Sequence, residues 1–416
     1  MAQLSDDCFA FGGKLLSISA AQGRIAADVP CVASAERVPL QETDGRILAE
    51  DLIAPVDLPP FDNAAVDGYA VRLADLADTA ELPTVGRLAA GEPATEALPR
   101  GTARRIFTGA ALPPGADTVF MQEDVQIGTD GRVRFPPGLR IGANTRPRGE
   151  DIARGACALP RGRRLRPQDL ALAAALGVQG LAVYKPIRVA LFSTGDELVE
   201  PGAPIGPAQR YDSNRVLLSA LVARTGAQIR NLGILPDQQN TIADALAAAA
   251  RDNDMILTSG GVSAGDEDHV KAAVESVGRL TFWRLAIKPG RPVAMGTVRG
   301  VPFVGLPGNP VAAFITFAHV ARALIAALGG APVEAPPTLR VRADFNYRKK
   351  AGRREYVRVR LLAGPDGEPR ACKHSVDGAG ILTSLTETCG IVELGEQVTE
   401  VSPGDGVGYL PYEGLL

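Results

Sequence analysis

The chain has 416 residues, of which 46% are hydrophobic and 22% are charged, and its formal net charge at pH 7 is −3. This length and composition are typical of a globular protein of about two to four domains. The charge excludes the overall positive field that non-specific nucleic-acid binding requires, so we expect no nucleic-acid partner and a local site for any anion.

The cysteines and the most apolar run exclude further classes of protein. Five cysteines lie far apart with no Cys-x-x-Cys pair, so neither a zinc site nor a disulfide framework is expected. No segment near the N-terminus has the pattern of a signal peptide, which predicts a cytoplasmic protein. The run from 311 to 328 contains His319 and Arg322, which favours a buried packing helix over a membrane span.

The first half of the chain contains two interleaved patterns. From residue 55 to 151, short apolar runs alternate with turn sequences such as LPPFDN and ALPPGAD, which predicts a β-rich domain. The stretch LRPQDLALAAALGVQGLAVYKP is typical of a capped helix, a strand and a proline stop. We predict that residues 1–54 and 152–186 form one discontinuous domain and that residues 55–151 are inserted into it.

A β-α-β alternation begins at residue 187. IRVALFSTGDEL predicts a strand and a loop, and SNRVLLSALVARTGAQI predicts a helix with Ser213 or Asn214 as its N-cap. Further strands and helices alternate after it, and parallel strands joined by crossover helices form a doubly wound sheet. We predict such a sheet for residues 187–333 and a small β domain for residues 334–416, where short strands and turns prevail.

Two loops that follow predicted strands combine glycine, hydroxyl and acidic residues: STGDEL at 193–198 and SGGVSAGDED at 259–268. Glycine-rich backbone can approach an anion such as phosphate, and doubly wound sheets bind ligands beyond the carboxyl ends of their strands. A carboxylate about 5 Å from a phosphate, however, costs roughly 3 kcal/mol at an effective dielectric constant of 20. A helix N-terminus recovers only about 0.3 to 1 kcal/mol.

A cation between these charges resolves the conflict, and oxygen ligands without cysteine or histidine favour Mg²⁺. The alternative is that Asp196, Glu197, Asp266 and Glu267 only cap the helices that follow. Because two such loops end strands of one predicted domain, we favour a shared site.

Seven motifs then point to a family. They are PPFDNAAVDGYAVR, RIFTG followed by AALPPGAD, RPRGED, FSTGDEL, SGGVSAGDED, AIKPGRPVAMG and GLPGNPVAA, in this order along the chain. Together they resemble the molybdopterin molybdenumtransferase family, which includes the E domain of gephyrin. The resemblance covers nearly the whole chain and is weak only in the first thirty or so residues and in the last domain.

The resemblance implies an enzyme that inserts molybdenum from molybdate into adenylylated molybdopterin and releases AMP in a Mg²⁺-dependent reaction. It implies a multidomain α/β plus β fold: a doubly wound molybdopterin-binding domain, an inserted β-rich domain and a C-terminal β-barrel-like domain. It also implies a homodimer with an active-site cleft shared between chains. Transient contacts with a molybdopterin adenylyltransferase and with molybdoenzyme maturation factors are expected, and no membrane partner.

The resemblance also assigns site residues by matching motifs. It implies that Asp67, Glu197 and Asp268 are catalytic and hold the metal. The implied substrate-binding residues are Thr108, Asp151, Ser193, Thr194, Gly195, Asp237, Ser259, Gly260, Gly261, Ser263, Lys288, Pro289, Pro307, Gly308, Asn309 and Arg358. The alternatives are a local turn for Asp67 beside Gly68, a solvated surface charge for Lys288, and an exposed strand face for Arg358.

The chain departs from the family pattern at Ala64, Arg284 and Ala379, where the family often has Ser, Lys and Ser. None of these departures removes an ionisable group. Two other functions stay open. One is a nucleotide-processing hydrolase that shares the molybdopterin-binding fold but lacks the DNAAVDGYA and RPRGED segments. The other is a non-enzymatic scaffold.

Overall fold

The computed structural model describes residues 15–260, 269–365 and 367–415. Its contacts divide the chain into two compact units. Of the described residues, the first unit contains 15–36, 45–47 and those from 184 onward, and the second contains 37–44 and 48–183.

The helices of the described residues are α1 (Ile18–Asp28), α2 (Pro167–Ala175), α3 (Ser213–Arg224), α4 (Gln239–Asp252), α5 (His269–Val277), α6 (Pro310–Thr316), α7 (Arg322–Leu328) and α8 (Thr383–Thr386). The strands up to residue 184 are β1 (Ala35–Pro39), β2 (Leu52–Ile53), β3 (Asn63–Ala64), β4 (Gly68–Val71), β5 (Glu81–Leu88), β6 (Ala103–Ile106), β7 (Thr118–Met121), β8 (Gln126–Ile127), β9 (Arg132–Arg134), β10 (Thr145–Arg146), β11 (Cys157–Leu159) and β12 (Gly180–Tyr184).

The later strands are β13 (Arg188–Thr194), β14 (Leu198–Val199), β15 (Arg210–Tyr211), β16 (Gln228–Leu235), β17 (Met255–Ser259), β18 (Gly278–Arg284), β19 (Ile287–Lys288), β20 (Pro292–Val298), β21 (Val301–Leu306), β22 (Leu339–Ala343), β23 (Tyr347–Arg348), β24 (Arg354–Ala363), β25 (Pro369–Lys373), β26 (Gly390–Leu394), β27 (Glu400–Val401) and β28 (Gly406–Pro411).

A six-stranded sheet in the order β16-β13-β17-β21-β20-β18 forms the centre of the first unit. The first four of these strands are parallel, and β20 and β18 continue the sheet antiparallel. The chain passes from β13 outward to β16 and then returns to the other side of β13 to form β17. The order therefore reverses between β13 and β17, and a crevice opens there at the carboxyl ends of the strands.

Both faces of this sheet are covered, which explains why its central strands β13, β17 and β21 are mostly apolar. One face packs Leu191 and Leu257 against α3, α6 and α7. The other face packs Phe192 and Phe303 against α4 and α5. Helix α1 also lies in this unit, where Ile25 joins the first of these cores. The domain bounds given above do not group α1 with this sheet, and they stay predictions.

The apolar run that begins at Val311 forms α6, a π-helical turn (Phe317–Ala321) and α7. The stretch Pro310–Leu328 is long and apolar enough to cross a membrane, but 89% of its most apolar window is buried inside the protein. The prediction of a buried packing helix is confirmed.

The C-terminal strands close into a barrel. Strands β24, β25, β22, β28 and β26 pair in that order, and β26 pairs back to β24. Closure removes the open sheet edges, and the interior is filled by apolar side chains such as Val357, Val359 and Val392. Strand β19 pairs in parallel with the first two residues of β24.

The second unit is rich in β-structure, with a six-stranded sheet in the order β7-β4-β6-β5-β9-β8. Tyr69, Phe120 and Phe135 pack in its core, and the rings of Phe120 and Phe135 meet edge to face at 5.0 Å. A second core in this unit joins Leu48, Leu165 and neighbouring apolar side chains around α2. Together the two units give the predicted multidomain α/β plus β fold.

Candidate functional site

The crevice between β13 and β17 is lined by hydroxyl groups and glycine. Ser193 and Thr194 end β13, Ser259 ends β17, and Gly260 follows it. Ser193 and Ser259 are register partners in the parallel ladder, and both are buried. Since side chains alternate along a strand, these two serines point to the face that carries α3 and α6.

Asn214 completes this part of the site. Its Nδ2 donates to Ser259 Oγ at 2.8 Å and to the carbonyl of Gly308 at 2.7 Å. Ser259 Oγ in turn donates to the carbonyl of Pro307 at 3.2 Å. The amide therefore fixes the predicted residues Ser259, Pro307 and Gly308 relative to one another. Asn214 was missed as a site residue because its partners lie 45 and 94 residues away along the chain.

The predicted N-cap of α3 is wrong. Asp212 is the N-cap, and its side chain accepts a hydrogen bond from the backbone N–H of Arg215 at 3.1 Å. A carboxylate is preferred here because it also binds the Arg215 guanidinium, with Nε 2.8 Å from Oδ2. Asn214 is therefore released from capping and can serve the crevice.

Three buried polar atoms near this crevice have no hydrogen-bond partner among the described residues. They are Ser193 Oγ, Asn214 Oδ1 and Thr258 Oγ1. A buried polar group without a partner costs about 1–3 kcal/mol, and such groups in native proteins usually await an ion, a water or a ligand. Ser193 and Asn214 combine one donor and two acceptors at the crevice.

In the loop after β13, the side chain of Glu197 folds back against the backbone of the loop, close to Gly195. Gly195 has a φ of +141°, a conformation that favours glycine, and a Cβ at this position would lie 2.4 Å from Glu197 Oε2. Arg210 donates to Glu197 Oε1 at 2.5 Å. Burial raises the pKa of Glu197, but the hydrogen bonds from Arg210 and from a backbone N–H outweigh it and place this pKa below its usual value.

Asp237 lies just after β16, and its Oδ1 accepts a 3.4 Å hydrogen bond from Thr194 Oγ1. The structure thus places two further predicted residues side by side. Gly260 has a φ of +90°, and a Cβ there would lie 3.6 Å from the Thr194 carbonyl. Gly261, Ser263 and Asp268 lie outside the described residues.

Lys288 lies in β19, on the barrel side of the first unit. Its Nζ is 3.4 Å from Glu355 Oε2, and its side chain is 54% exposed. The peptide between Lys288 and Pro289 is cis. Gly290 follows with a φ of +97°, and a Cβ there would lie 3.2 Å from the Ala312 carbonyl in α6.

The N-terminal end of α6 meets the barrel at residues 378–380. Asn309 precedes α6, and the Val311 N–H donates to the carbonyl of Ala379 at 3.0 Å. Arg358, predicted to bind an anion, is 6% exposed. Its Nε donates to Ser384 Oγ at 3.0 Å and one Nη donates to the Gly378 carbonyl at 3.2 Å. Arg358 is therefore buried and holds this turn, in contrast to the exposed-face alternative.

The second unit contains a separate acidic position. Thr108 donates twice to Asp67 Oδ1, from its backbone N–H at 2.8 Å and from its hydroxyl at 2.7 Å. These hydrogen bonds, with the nearby charge of Arg105, hold the pKa of Asp67 below its usual value. A Cβ at Gly68 would lie 1.8 Å from the Phe120 carbonyl. The turn is thus fixed on both sides of Asp67.

Asp151, the remaining predicted residue of this unit, is exposed. Its backbone N–H donates to the Leu58 carbonyl at 3.0 Å. The neighbouring residues of the RPRGED motif are held by Asp57, which accepts from the backbone N–H of Arg154 at 2.7 Å and pairs with Arg148.

The predicted metal ligands supply carboxylate oxygens, which suit Mg²⁺. Asp67 Oδ2 has no hydrogen bond to a described residue, whereas Oδ1 accepts both bonds from Thr108. Among the described residues, no group of three or more His, Cys, Asp or Glu side chains could hold a metal ion. The donor chemistry fits a hard cation, but a complete ligand set is not formed by these residues alone.

Comparison with known proteins decides the family. Three family models match successive parts of the chain: the MoeA N-terminal region (domain I and II) at residues 16–177, a probable molybdopterin binding domain at 190–327, and the MoeA C-terminal region (domain IV) at 340–412. A molybdopterin molybdenumtransferase of Haemophilus influenzae is 38% identical over 403 residues, which cover 97% of this chain and 100% of the relative. The chain belongs to the molybdopterin molybdenumtransferase family.

Other members of the molybdopterin molybdenumtransferase family give the same result. Molybdopterin molybdenumtransferase 2 of Mycobacterium tuberculosis is 36% identical over 386 residues, with 88% of this chain and 92% of the relative covered. A crystal structure of the molybdopterin biosynthesis moeA protein of Pyrococcus horikoshii OT3 has a TM-score of 0.80 and 30% identity, covering 96% of this chain and 100% of that one. The predicted family and fold class are confirmed, and the chain is a transferase of molybdenum cofactor biosynthesis.

Proposed function

We propose that this chain inserts molybdenum from molybdate into adenylylated molybdopterin and releases AMP, in a reaction that requires Mg²⁺. The observation that carries the proposal is a pair of buried atoms, Ser193 Oγ and Asn214 Oδ1, which lack a hydrogen-bond partner among the described residues and lie beside the glycine backbone at the switch point of the sheet. A polar, pre-formed crevice of this kind suits a ligand with phosphate oxygens and ring nitrogens.

The proposed reaction needs no electron donor. The phosphoric anhydride between AMP and the pterin phosphate breaks, and an oxygen from water or molybdate completes the released phosphate. Two dithiolene sulfurs bind the molybdenum, and their two thiol protons leave with one displaced molybdate oxygen as water, so the oxidation state of the molybdenum does not change.

The residues of this chain supply binding and orientation. Ser193 and Asn214 hold the pterin side of the substrate, and Lys288 provides a point charge for the molybdate oxyanion. Asp67, whose pKa is lowered, is ionised at neutral pH, so it can bind a cation or orient water. Mg²⁺, when bound, would neutralise the repulsion between carboxylates and phosphate oxygens.

A homodimer with a shared cleft, transient contact with a molybdopterin adenylyltransferase and a cytoplasmic location are further parts of the proposal. The family resemblance supports them. The hydrolase alternative is less well supported, because the matches at 16–177 and 340–412 lie outside the molybdopterin-binding domain.

The test uses the purified full chain with adenylylated molybdopterin, molybdate and Mg²⁺, and measures AMP by chromatography. We expect AMP release that requires molybdate and stops in excess chelator. Asp67→Asn should reduce the rate strongly, whereas the control Asp78→Asn, at an exposed position in the same unit, should not. AMP release without molybdate would indicate a hydrolase, and a complete absence of turnover and of pterin binding would refute the proposal.

A further inference from the structure

We propose that Glu355 is a positioning residue for Lys288: its buried carboxylate holds the lysine ammonium where the molybdate oxyanion binds. This inference rests on the proposed function, because it takes Lys288 as the cation that binds molybdate. Glu355 itself is not expected to touch the substrate.

The backbone fixes the two residues opposite each other. Strands β19 and β24 are parallel neighbours, and Lys288 and Glu355 are partners in their register. Lys288 Nζ lies 3.4 Å from Glu355 Oε2, with side-chain exposures of 54% for the lysine and 1% for the glutamate. The carboxylate is therefore inside the protein, and the ammonium reaches it from the surface.

Two other donors hold the carboxylate in place. Arg353 Nε donates to Oε1 at 2.7 Å, and the hydroxyl of Tyr347 donates to Oε2 at 2.7 Å. Both distances are shorter than the 3.4 Å from Lys288 Nζ. Glu355 would thus keep its position if the ammonium turned toward a ligand, which is what an anchor requires.

The charges of this cluster leave a surplus at the surface. Glu355 carries one negative charge, its ion-pair partners Lys288 and Arg353 carry one positive charge each, and the charge of Lys349 also acts on it. Positive charge therefore exceeds negative charge around this carboxylate. Arg353 is 23% exposed and directed to the carboxylate. An ammonium has three donors, and Lys288 contacts Glu355 as an ion pair at 3.4 Å, so it can present positive charge and N–H donors to a solvent-borne oxyanion.

A purely structural role predicts a different result. If Glu355 only stabilised the barrel, its loss would lower the fraction of active protein and change all kinetic constants together. A positioning role acts through Lys288 alone, so it should change the molybdate dependence selectively. The effect should also disappear when Lys288 is already absent.

The experiment compares the full chain with Glu355→Gln, Lys288→Ala and the double variant. We expect Glu355→Gln to raise the KM for molybdate about tenfold, the change that corresponds to one well-placed charged hydrogen bond. The KM for adenylylated molybdopterin should stay within about twofold. In the Lys288→Ala background, Glu355→Gln should have no further effect on the molybdate KM.

One control variant, one fallback variant and one direct measurement complete the test. Glu393→Gln removes another carboxylate of the barrel, which pairs with Arg354 at 3.0 Å, and should leave the molybdate KM unchanged. If Glu355→Gln does not fold, Tyr347→Phe removes one donor to the same carboxylate and should raise the molybdate KM in the same direction by less. Acetylation of Lys288, followed by peptide mass spectrometry, reports the lysine directly and should be faster in Glu355→Gln.

The outcomes separate the inference from the function. Molybdate-dependent AMP release by the parent chain, with an unchanged or lower molybdate KM and unchanged Lys288 acetylation in Glu355→Gln, would overturn the positioning role alone. If the parent chain neither binds molybdate nor releases AMP, the proposed function fails. The positioning role for molybdate then fails with it, whatever the acetylation rates.

Discussion

We expect the variant Ser193→Ala to be more stable than the parent chain, because the hydroxyl of Ser193 is buried and lacks a partner among the described residues. The residue is 1% exposed. Removal of such a hydroxyl should recover about 1–3 kcal/mol of the desolvation cost. For a domain of 150–250 residues, each kcal/mol raises Tm by about 2–4 °C. We therefore expect the variant to be more stable than the parent chain.

Ser259→Ala is the matched control, because this serine is the register partner of Ser193 and is equally buried. Its Oγ accepts from Asn214 and donates to Pro307. Truncation leaves the Pro307 carbonyl without this donor, so we expect a loss of about 1–2 kcal/mol. Calorimetry of both variants beside the parent chain measures the two shifts.

Ser193→Ala should also bind the pterin substrate less tightly. A hydrogen bond to a neutral ligand group contributes about 0.5–1.5 kcal/mol, so we expect the dissociation constant to rise by up to about tenfold. Titration of the protein with adenylylated molybdopterin measures it. If Ser193→Ala were as unstable as Ser259→Ala and still bound substrate normally, the hydroxyl would have a structural partner, and the assignment of the crevice would be wrong.

Three further predictions concern the acids. Burial raises the pKa of Asp169, but hydrogen bonds from Arg163 and Arg166 outweigh it and bring the pKa to about 2. This carboxylate should therefore stabilise the fold by up to about 2 kcal/mol above pH 4, and its contribution should decrease as the pH falls toward 2. The Asp169→Asn variant should lack this pH-dependent contribution, and measuring the free energy of unfolding at pH 7 and pH 3 checks it. Thr108→Val should raise the pKa of Asp67 and move the acid limb of the AMP-release profile to higher pH; an unmoved limb would contradict this. If the cleft is shared in a dimer, inactive Asp67→Ala and Asp268→Ala chains refolded together should regain roughly a quarter of the parent activity, and recovered dimers without activity would reject the sharing.

Local patterns in the sequence predict much of this fold. The alternating apolar segments after residue 187 indicate the parallel strands and crossover helices, and the loops after β13 and β17 mark the crevice because of their position at strand ends. The antiparallel strands β18 and β20 are not indicated. Their connection contains no tight hairpin turn, because β19 leaves it to pair with the barrel.

The contacts that complete the site depend on residues far apart in sequence. Arg210 beside Glu197 and Asn214 beside Ser259 follow from packing and have no local signal. Glu355, in contrast, does have a local signal in the sequence. It shares a strand face with Val357 and Val359, which line the barrel, and an acid on an apolar face requires a buried partner.

Strand β19 has a consequence for how the first unit can be divided. It leaves the doubly wound sheet between β18 and β20, yet its register partners are Arg354 and Glu355 of the barrel. Tyr356, Ile391 and Leu410 of the barrel also join the apolar core under α6 and α7. A chain cut at residue 333 would lose this cover, expose part of the sheet's own core and leave β19 unpaired. Sheet and barrel should therefore exchange their most protected amide hydrogens together, as one cooperative unit.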